Sequence, residues 1–280
     1  MQVQVQPSRR EGSLINPGPS ERGWHRIESM LRCPRLYALQ HIDGIEFPLT
    51  RPLVNGIMLH VALAHHYKRL ECEQRGTDAN EWLSPEGALA EMVAKNSDSS
   101  PLWKAGVDQV FDAFCAYAQN WDAESWTVLA VEEELRANLG GGRFLYTQRP
   151  DLIVEDFDER VWIVDHKSAY RLVSKTLQQH ILDGQFLGYQ MFGFAKYGNR
   201  FAGVIVNRVK LSTPHDFDRT PIEPAPAALR QFTNSIVEAE ERILQYGEDS
   251  TDFPMVLSNQ VCYGKYGQCP AFDLCRFGSR

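Results

Sequence analysis

Between residues 27 and 122 the apolar positions recur at helical intervals. Between 126 and 211 they close up into short runs rich in β-branched and aromatic residues. The first stretch predicts helices over 27–41, 55–74, 85–95 and 107–122, with Pro34 breaking the first or starting a new one. The second predicts strands over 127–139, 143–157 and 161–170, the first turn marked by Gly140-Gly141-Gly142. A helix over 177–197, a strand over 201–211, turn residues over 212–226 and a helix over 227–246 follow, before a cysteine-bearing tail. The opening residues, rich in Gln, Ser, Pro and Gly, predict a disordered arm. The chain thus divides into an arm (1–22), a helical region (23–125), an α/β core (126–247) and a cysteine-rich lobe (248–280).

The chemistry concentrates on two of the strand-like runs. Asp165-His166-Lys167 follows the apolar run Val161-Trp162-Ile163-Val164, and an acid and a lysine two apart on a strand point to the same face. Upstream, Asp151 opens the run Leu152-Ile153-Val154, and a reversal about Asp158 and Glu159 sets Asp151 opposite Asp165 and His166. Two carboxylates then meet one ammonium, an arrangement suited to holding a divalent ion and orienting a water for attack on a phosphodiester. Taken singly, an Asp-x-Lys pair is more often a surface salt bridge. Gln185 and Tyr189, spaced i and i+4 on the following helix, share one face and can reach the same pocket. His60, on the helix over 55–74, offers an imidazole that suits Mn(II), with His65 and His66 as competing candidates.

Composition and charge change this picture little. The chain has 280 residues and a net charge of −7, but residues 1–41 carry +3 and residues 255–280 carry +2, leaving −12 between them. Two basic ends suit a phosphate backbone, and divalent metal would offset part of the central acidity. No apolar run approaches the roughly 20 residues of a membrane span, and the start lacks a signal-peptide pattern, so the expected compartment is the cytoplasm, of a bacterium or a phage-infected host. There, six cysteines read as metal ligands, catalytic groups or core packing rather than as disulfides.

Taken in order, His60, Asp151, Asp165-x-Lys167 and Gln185-x-x-x-Tyr189, on helix, strand, strand and helix, resemble the PD-(D/E)xK nuclease superfamily, specifically its RecB-like branch. The resemblance implies a restriction-endonuclease-like mixed sheet flanked by helices, and a DNase using Mg(II) or Mn(II). It implies that His60, Asp151 and Asp165 bind the ions, that Lys167 assists the nucleophile, and that Gln185 and Tyr189 complete the site. Gln148 departs from the pattern, since this branch often has a glycine shortly before the aspartate. Glu132, Glu133 and Glu134 lie on the preceding strand, with one of them able to face the site. The implied substrate is a DNA end or a single strand, cut exonucleolytically in recombination, repair, phage DNA metabolism or CRISPR adaptation. Trp24, Tyr37 and Tyr263 are candidates for stacking on bases.

One early cysteine, Cys33, and three late ones, Cys262, Cys269 and Cys275, are similar to the iron-sulfur group of these nucleases, which includes CRISPR-associated, AddB-type and phage enzymes. The resemblance implies a 4Fe-4S cluster on these four thiolates, with zinc as the chemical alternative. Such a cluster would clamp the first helices to the tail. Cys72 and Cys115 fall in helical patterns and read as packing residues. Two rivals from other classes remain: a non-catalytic DNA-binding or assembly module of the same fold, whose site would be eroded, and an iron-sulfur redox protein, which would not cut DNA.

Overall fold

The structure is a computed structural model that describes residues 1–173, 180–264 and 267–278. Strands β1 (Gln4–Gln6), β2 (Arg10–Glu11) and β3 (Leu14–Ile15) precede helices α1 (Trp24–Arg32), α2 (Pro34–His41), α3 (Arg51–Arg75), α4 (Pro85–Asn96) and α5 (Leu102–Asn120). Strands β4 (Thr127–Val131), β5 (Glu134–Leu139), β6 (Phe144–Gln148), β7 (Leu152–Glu155) and β8 (Val161–Ala169) come next, followed by α6 (Gly184–Tyr197). Then come β9 (Phe201–Lys210), β10 (Asp216–Ile222) and α7 (Pro226–Tyr246). The tail holds α8 (Asn259–Cys262), β11 (Tyr263–Gly264), β12 (Gly267–Gln268) and α9 (Phe272–Phe277).

The main sheet has the order β10-β9-β8-β7-β4 and is mixed, as the sequence predicts: β8 and β9 run parallel and the other neighbours antiparallel. The parallel pair requires a crossover, and α6 supplies it. Alternation along the strands divides the core. Ile153, Ile163, Val204 and Val206 pack with Phe186 and Phe192 of α6, Phe232 and Ile236 of α7, and Ile27 and Met30 of α1. Leu152, Val154, Val164 and Ile205 pack with Met58, Leu59 and Leu63 of α3 and with Val110 and Phe114 of α5. Helices therefore cover both faces, α1, α6 and α7 on one and α3 and α5 on the other, so the helical region contributes to both layers. A register shift between Val128 and Ala130 brings Val131 to the same core as Val128.

Several expectations are corrected. Residues 1–22 are not a disordered arm: β1 pairs with β5 in a small sheet β1-β5-β6, and Leu14 and Ile15 are buried. Composition misses this because two buried aliphatics and a few long-range hydrogen bonds anchor the segment. The predicted strand 127–139 breaks at Glu132, whose φ of 52° lies in the left-handed region, and 143–157 breaks between β6 and β7 as the chain passes from the small sheet to the large one. The expected turn region 212–226 contains β10, which pairs with β9. The helix expected over 177–197 begins at Gly184, while its positions 177–179 lie outside the described residues. Among the described residues no helix is long and apolar enough to cross a membrane.

Candidate active site

The β7–β8 hairpin does what its sequence suggests. Leu152 pairs with Val164 and Ile153 with Ile163, and the reversal between Asp156 and Arg160 places Glu159 at φ 59°. Asp151, just before β7, therefore lies beside Asp165 and His166. Its Oδ2 accepts the backbone N–H of His166 at 2.6 Å, and its Oδ1 faces His60 Nδ1 at 3.3 Å. Burial opposes its ionisation, but His60, His166 and Lys167 outweigh it and hold Asp151 down to about 2. His60 is itself held above its usual range: burial lowers it, and the Asp151 and Asp165 charges more than compensate.

Asp165 and Lys167 share the other face of β8. Lys167 Nζ lies 2.8 Å from Asp165 Oδ2, and Asp165 Oδ1 accepts from Gln185 Nε2 at 3.0 Å and from the Tyr189 hydroxyl at 3.3 Å. Gln185 also accepts from Lys167 Nζ at 3.2 Å through its Oε1, so one amide fixes both members of the pair. Asp183 caps α6 by accepting from the Gln185 N–H, which sets Gln185 and Tyr189 one turn apart over the sheet. Burial and the Asp151 charge push the Asp165 carboxyl up against the pull of Lys167, whereas the two aspartates hold Lys167 firmly cationic despite its partial burial. Burial and the nearby carboxylates push the Tyr189 phenol well above its usual value, so it remains a donor.

Glu132 is the residue that sequence reasoning leaves unresolved among three glutamates. Its left-handed backbone interrupts the strand, its N–H bonds the Asp151 carbonyl at 3.1 Å, and its side chain is buried. One ligand atom each from His60, Glu132 and Asp151 lies within 4.8 Å of the others. Burial, reinforced by Asp151 and Asp165, raises the Glu132 carboxyl well above its ordinary range. The sequence signal for it is a run of acids inside an apolar strand. Its neighbour Glu134 instead pairs with Arg9, Arg136 and Arg149, and Glu133 is half-buried.

The other histidines separate cleanly. His65 accepts from Ile15 N–H and faces the Leu83 carbonyl, and His66 packs edge-on to Tyr67 and Phe114. The His166 ring stacks on Tyr67 and meets Asn207 at 2.7 Å, and its backbone N–H is what bonds Asp151. Gln148 donates to the Tyr146 hydroxyl and lies against Gly188, where a Cβ would come within 2.2 Å of its amide nitrogen. Of the stacking candidates, Tyr37 is buried against Phe253, Trp24 packs on Phe232, and Tyr263 is half-exposed beside Phe272.

Away from these residues in sequence, Cys33 occupies the extended joint between α1 and α2, and Pro34 opens α2 where no N–H is needed. Cys33, Cys262, Cys269 and Cys275 line one mainly apolar cavity of about 220 Å³, with Leu36 and Phe272 among its walls. Among the described residues no three of their sulfurs lie within 4.8 Å of one another, so the thiols surround a space rather than close on a point. Burial and the other three thiols push the Cys275 thiol up. Cys72 and Cys115 sit in or against the α3/α5 core, as expected of packing residues.

Comparison with solved structures finds a "Putative exonuclease" from Eubacterium rectale at 12% identity and a TM-score of 0.52, covering 92% of this chain and 88% of the other. Protein VC1899 from Vibrio cholerae is 8% identical with a TM-score of 0.26, over 84% of this chain and 58% of the other. Comparison with curated proteins gives no match. The first of these likenesses shows the fold, and the family model of the PD-(D/E)XK nuclease superfamily matches residues 24–276, nearly the whole chain. The chain belongs to the PD-(D/E)XK nuclease superfamily.

Proposed function

We propose that this chain is a metal-dependent deoxyribonuclease that hydrolyses phosphodiesters at DNA ends or in single strands. The observation that carries the reading is the convergence of three buried carboxylates, Glu132, Asp151 and Asp165, with His60 and Lys167 beside them. Such crowding of acids is costly unless a cation joins them, and oxygen donors with one imidazole fit Mg(II) or, better, Mn(II). His60, Glu132, Asp151 and Asp165 are the residues that would hold it. Bound there, a divalent ion would lower the pKa of a water and offset charge on the attacked phosphate.

The remaining work falls to the chain's own groups. Lys167, one-third exposed and kept charged by Asp165, presents its ammonium to a water or a phosphate oxygen. Gln185 holds Lys167 and Asp165 in register, and Tyr189 donates to Asp165 from a phenol that stays protonated. Asp151 is oriented from two sides, by His60 and by the His166 N–H. An exonucleolytic mode is in keeping with the name carried by the Eubacterium rectale structure.

The four cysteines around one cavity suit a 4Fe-4S cluster, with zinc the alternative. Its role is architectural: Cys33 sits on the joint of the first two helices and the other three on the tail, so shared ligation would fasten the two chain ends together. The test is incubation of anaerobically purified protein with labelled linear single- and double-stranded DNA, with Mn(II), Mg(II) or chelator. Cleavage that depends on the added ion is expected. Absence of cleavage under every metal condition, by protein that binds Mn(II), contradicts the assignment.

A further inference from the structure

A cavity of about 540 Å³ opens beside the candidate centre, between the N-terminal segment and α3, and His60 lines it. Its walls include Asn16, Pro17 and Pro19 on one side and Leu53, Ile57 and Asn96 on the other. That volume lies within the roughly 300–1,000 Å³ of small-molecule sites. No lysine or arginine is among the described residues lining it, and its ionisable groups are Glu11 and His60. A phosphate backbone has nothing to hold it there. A planar neutral group with apolar faces and polar edges does: prolines and aliphatics offer faces, and although Asn16 Oδ1 accepts from the Gly18 N–H and Asn96 Nδ2 donates to the Met92 carbonyl, Asn16 Nδ2 and Asn96 Oδ1 can offer edge hydrogen bonds.

The segment that covers this cavity is fastened on both sides. Leu14 and Ile15 are buried, and the Ile15 N–H donates to His65 Nε2 at 3.1 Å. Arg149 donates to the carbonyls of Asn16 at 3.1 Å and Gly18 at 2.6 Å, and Ser20 Oγ donates to the Thr147 carbonyl. Arg149 lies two residues before Asp151, so the clamp on the cover and a carboxylate of the centre belong to one stretch of chain. The cover is thus preformed, and a base reaches the space beneath it only when unpaired and unstacked.

We propose that this cleft is a nucleobase subsite: it takes one or two unstacked bases adjoining the phosphate at the His60–Asp151 centre, which makes single-stranded or frayed DNA the substrate. The inference rests on the nuclease reading for its location, but its test does not require cleavage. The full-length protein is titrated by fluorescence anisotropy, in Ca(II), with labelled linear single-stranded oligonucleotides in which one abasic residue is stepped along the strand. Removing one or two adjacent bases should weaken binding about tenfold, and removing others should change it less than about twofold. Cleavage of the same oligonucleotides is followed in Mn(II).

Gly56→Leu narrows the cleft from α3, where an added Cβ meets only Ser168 Oγ at 3.4 Å and a helical glycine is replaced by a better helix former. Leu53→Asp does the same chemically at an exposed position, which protects the test against a folding failure. Both should raise KM for single-stranded DNA about tenfold with little change in kcat, and both should erase the abasic penalty. Position-dependent binding without cleavage sinks the nuclease reading and leaves the subsite standing. A uniform response to abasic steps, or no binding at all, overturns the subsite whether or not the DNA is cut.

Discussion

The candidate active site and the cysteine cavity both gather ligating side chains, but they differ in what holds those side chains in place. Around Asp151 and Asp165 every group is tied to another: two faces of a central strand, a capped helix and α3 converge, and the acids are buried under packed layers. Around Cys33 the neighbours are a four-residue helix, a pair of two-residue strands and a six-residue helix, and Cys275 is exposed. The first site is built by the fold. The second, with so little core of its own, depends on whatever its thiols bind to hold its short elements together.

Substitutions in the two sites should therefore separate activity from stability. Asp151→Ala and Asp165→Ala should lower cleavage about a hundred- to a thousandfold and weaken Mn(II) binding by calorimetry, with the folded protein retained. Mn(II) binding unchanged in both variants would remove them from the ligand set. Cys269→Ala should do the reverse. Releasing a connection that closes a loop of more than two hundred residues should cost about 3 kcal/mol, or about 6–12 °C in Tm, along with any iron and brown colour. Cys72→Ala and Cys115→Ala should keep the colour, and stoichiometric zinc in iron-replete anaerobic protein would replace the cluster assignment without touching the nuclease site.

A smaller effect tests the N-terminal segment that covers the active-site cleft. His65 is fully buried, burial lowers it to about 4, and its Nε2 must stay unprotonated to accept from Ile15. The unfolded chain takes up this proton near pH 6.5, before the folded one does. The stability it contributes is thus complete above about pH 6.5 and falls as the pH drops toward 4, by about 3 kcal/mol at most. Denaturation midpoints across that window should fall more steeply for the native chain than for His65→Gln. The smallest effect expected is on Glu132→Gln, which removes one of three crowded acids. Metal-free protein should gain about 2–4 °C in Tm while Mn(II) affinity drops, and a loss of Tm without metal would contradict the repulsion inferred at the centre.

Much of the site is legible in the sequence because its parts lie on periodic elements. Asp165 and Lys167 at strand spacing, Gln185 and Tyr189 at helical spacing, and a short reversal after Asp151 suffice to predict that they meet, and they do. His60 is distinguished from His65 and His66 only by three-dimensional neighbours, since all three sit on one helix. Glu132 escapes a sequence reading because its side chain is aimed by a left-handed backbone that alternation does not reveal. The order of the N-terminal segment is hidden for a related reason. It comes from partners more than a hundred residues away, such as Val131, Glu134 and Thr147, and composition carries no trace of them.

The most direct measurement of the central claim, a divalent-metal centre whose lysine acts in the chemical step, pairs calorimetry with single-turnover cleavage on Lys167→Ala. The variant should bind Mn(II) and single-stranded DNA within a few-fold of the native chain and cut it at least about a hundredfold more slowly. Cleavage at a near-native rate would contradict the account.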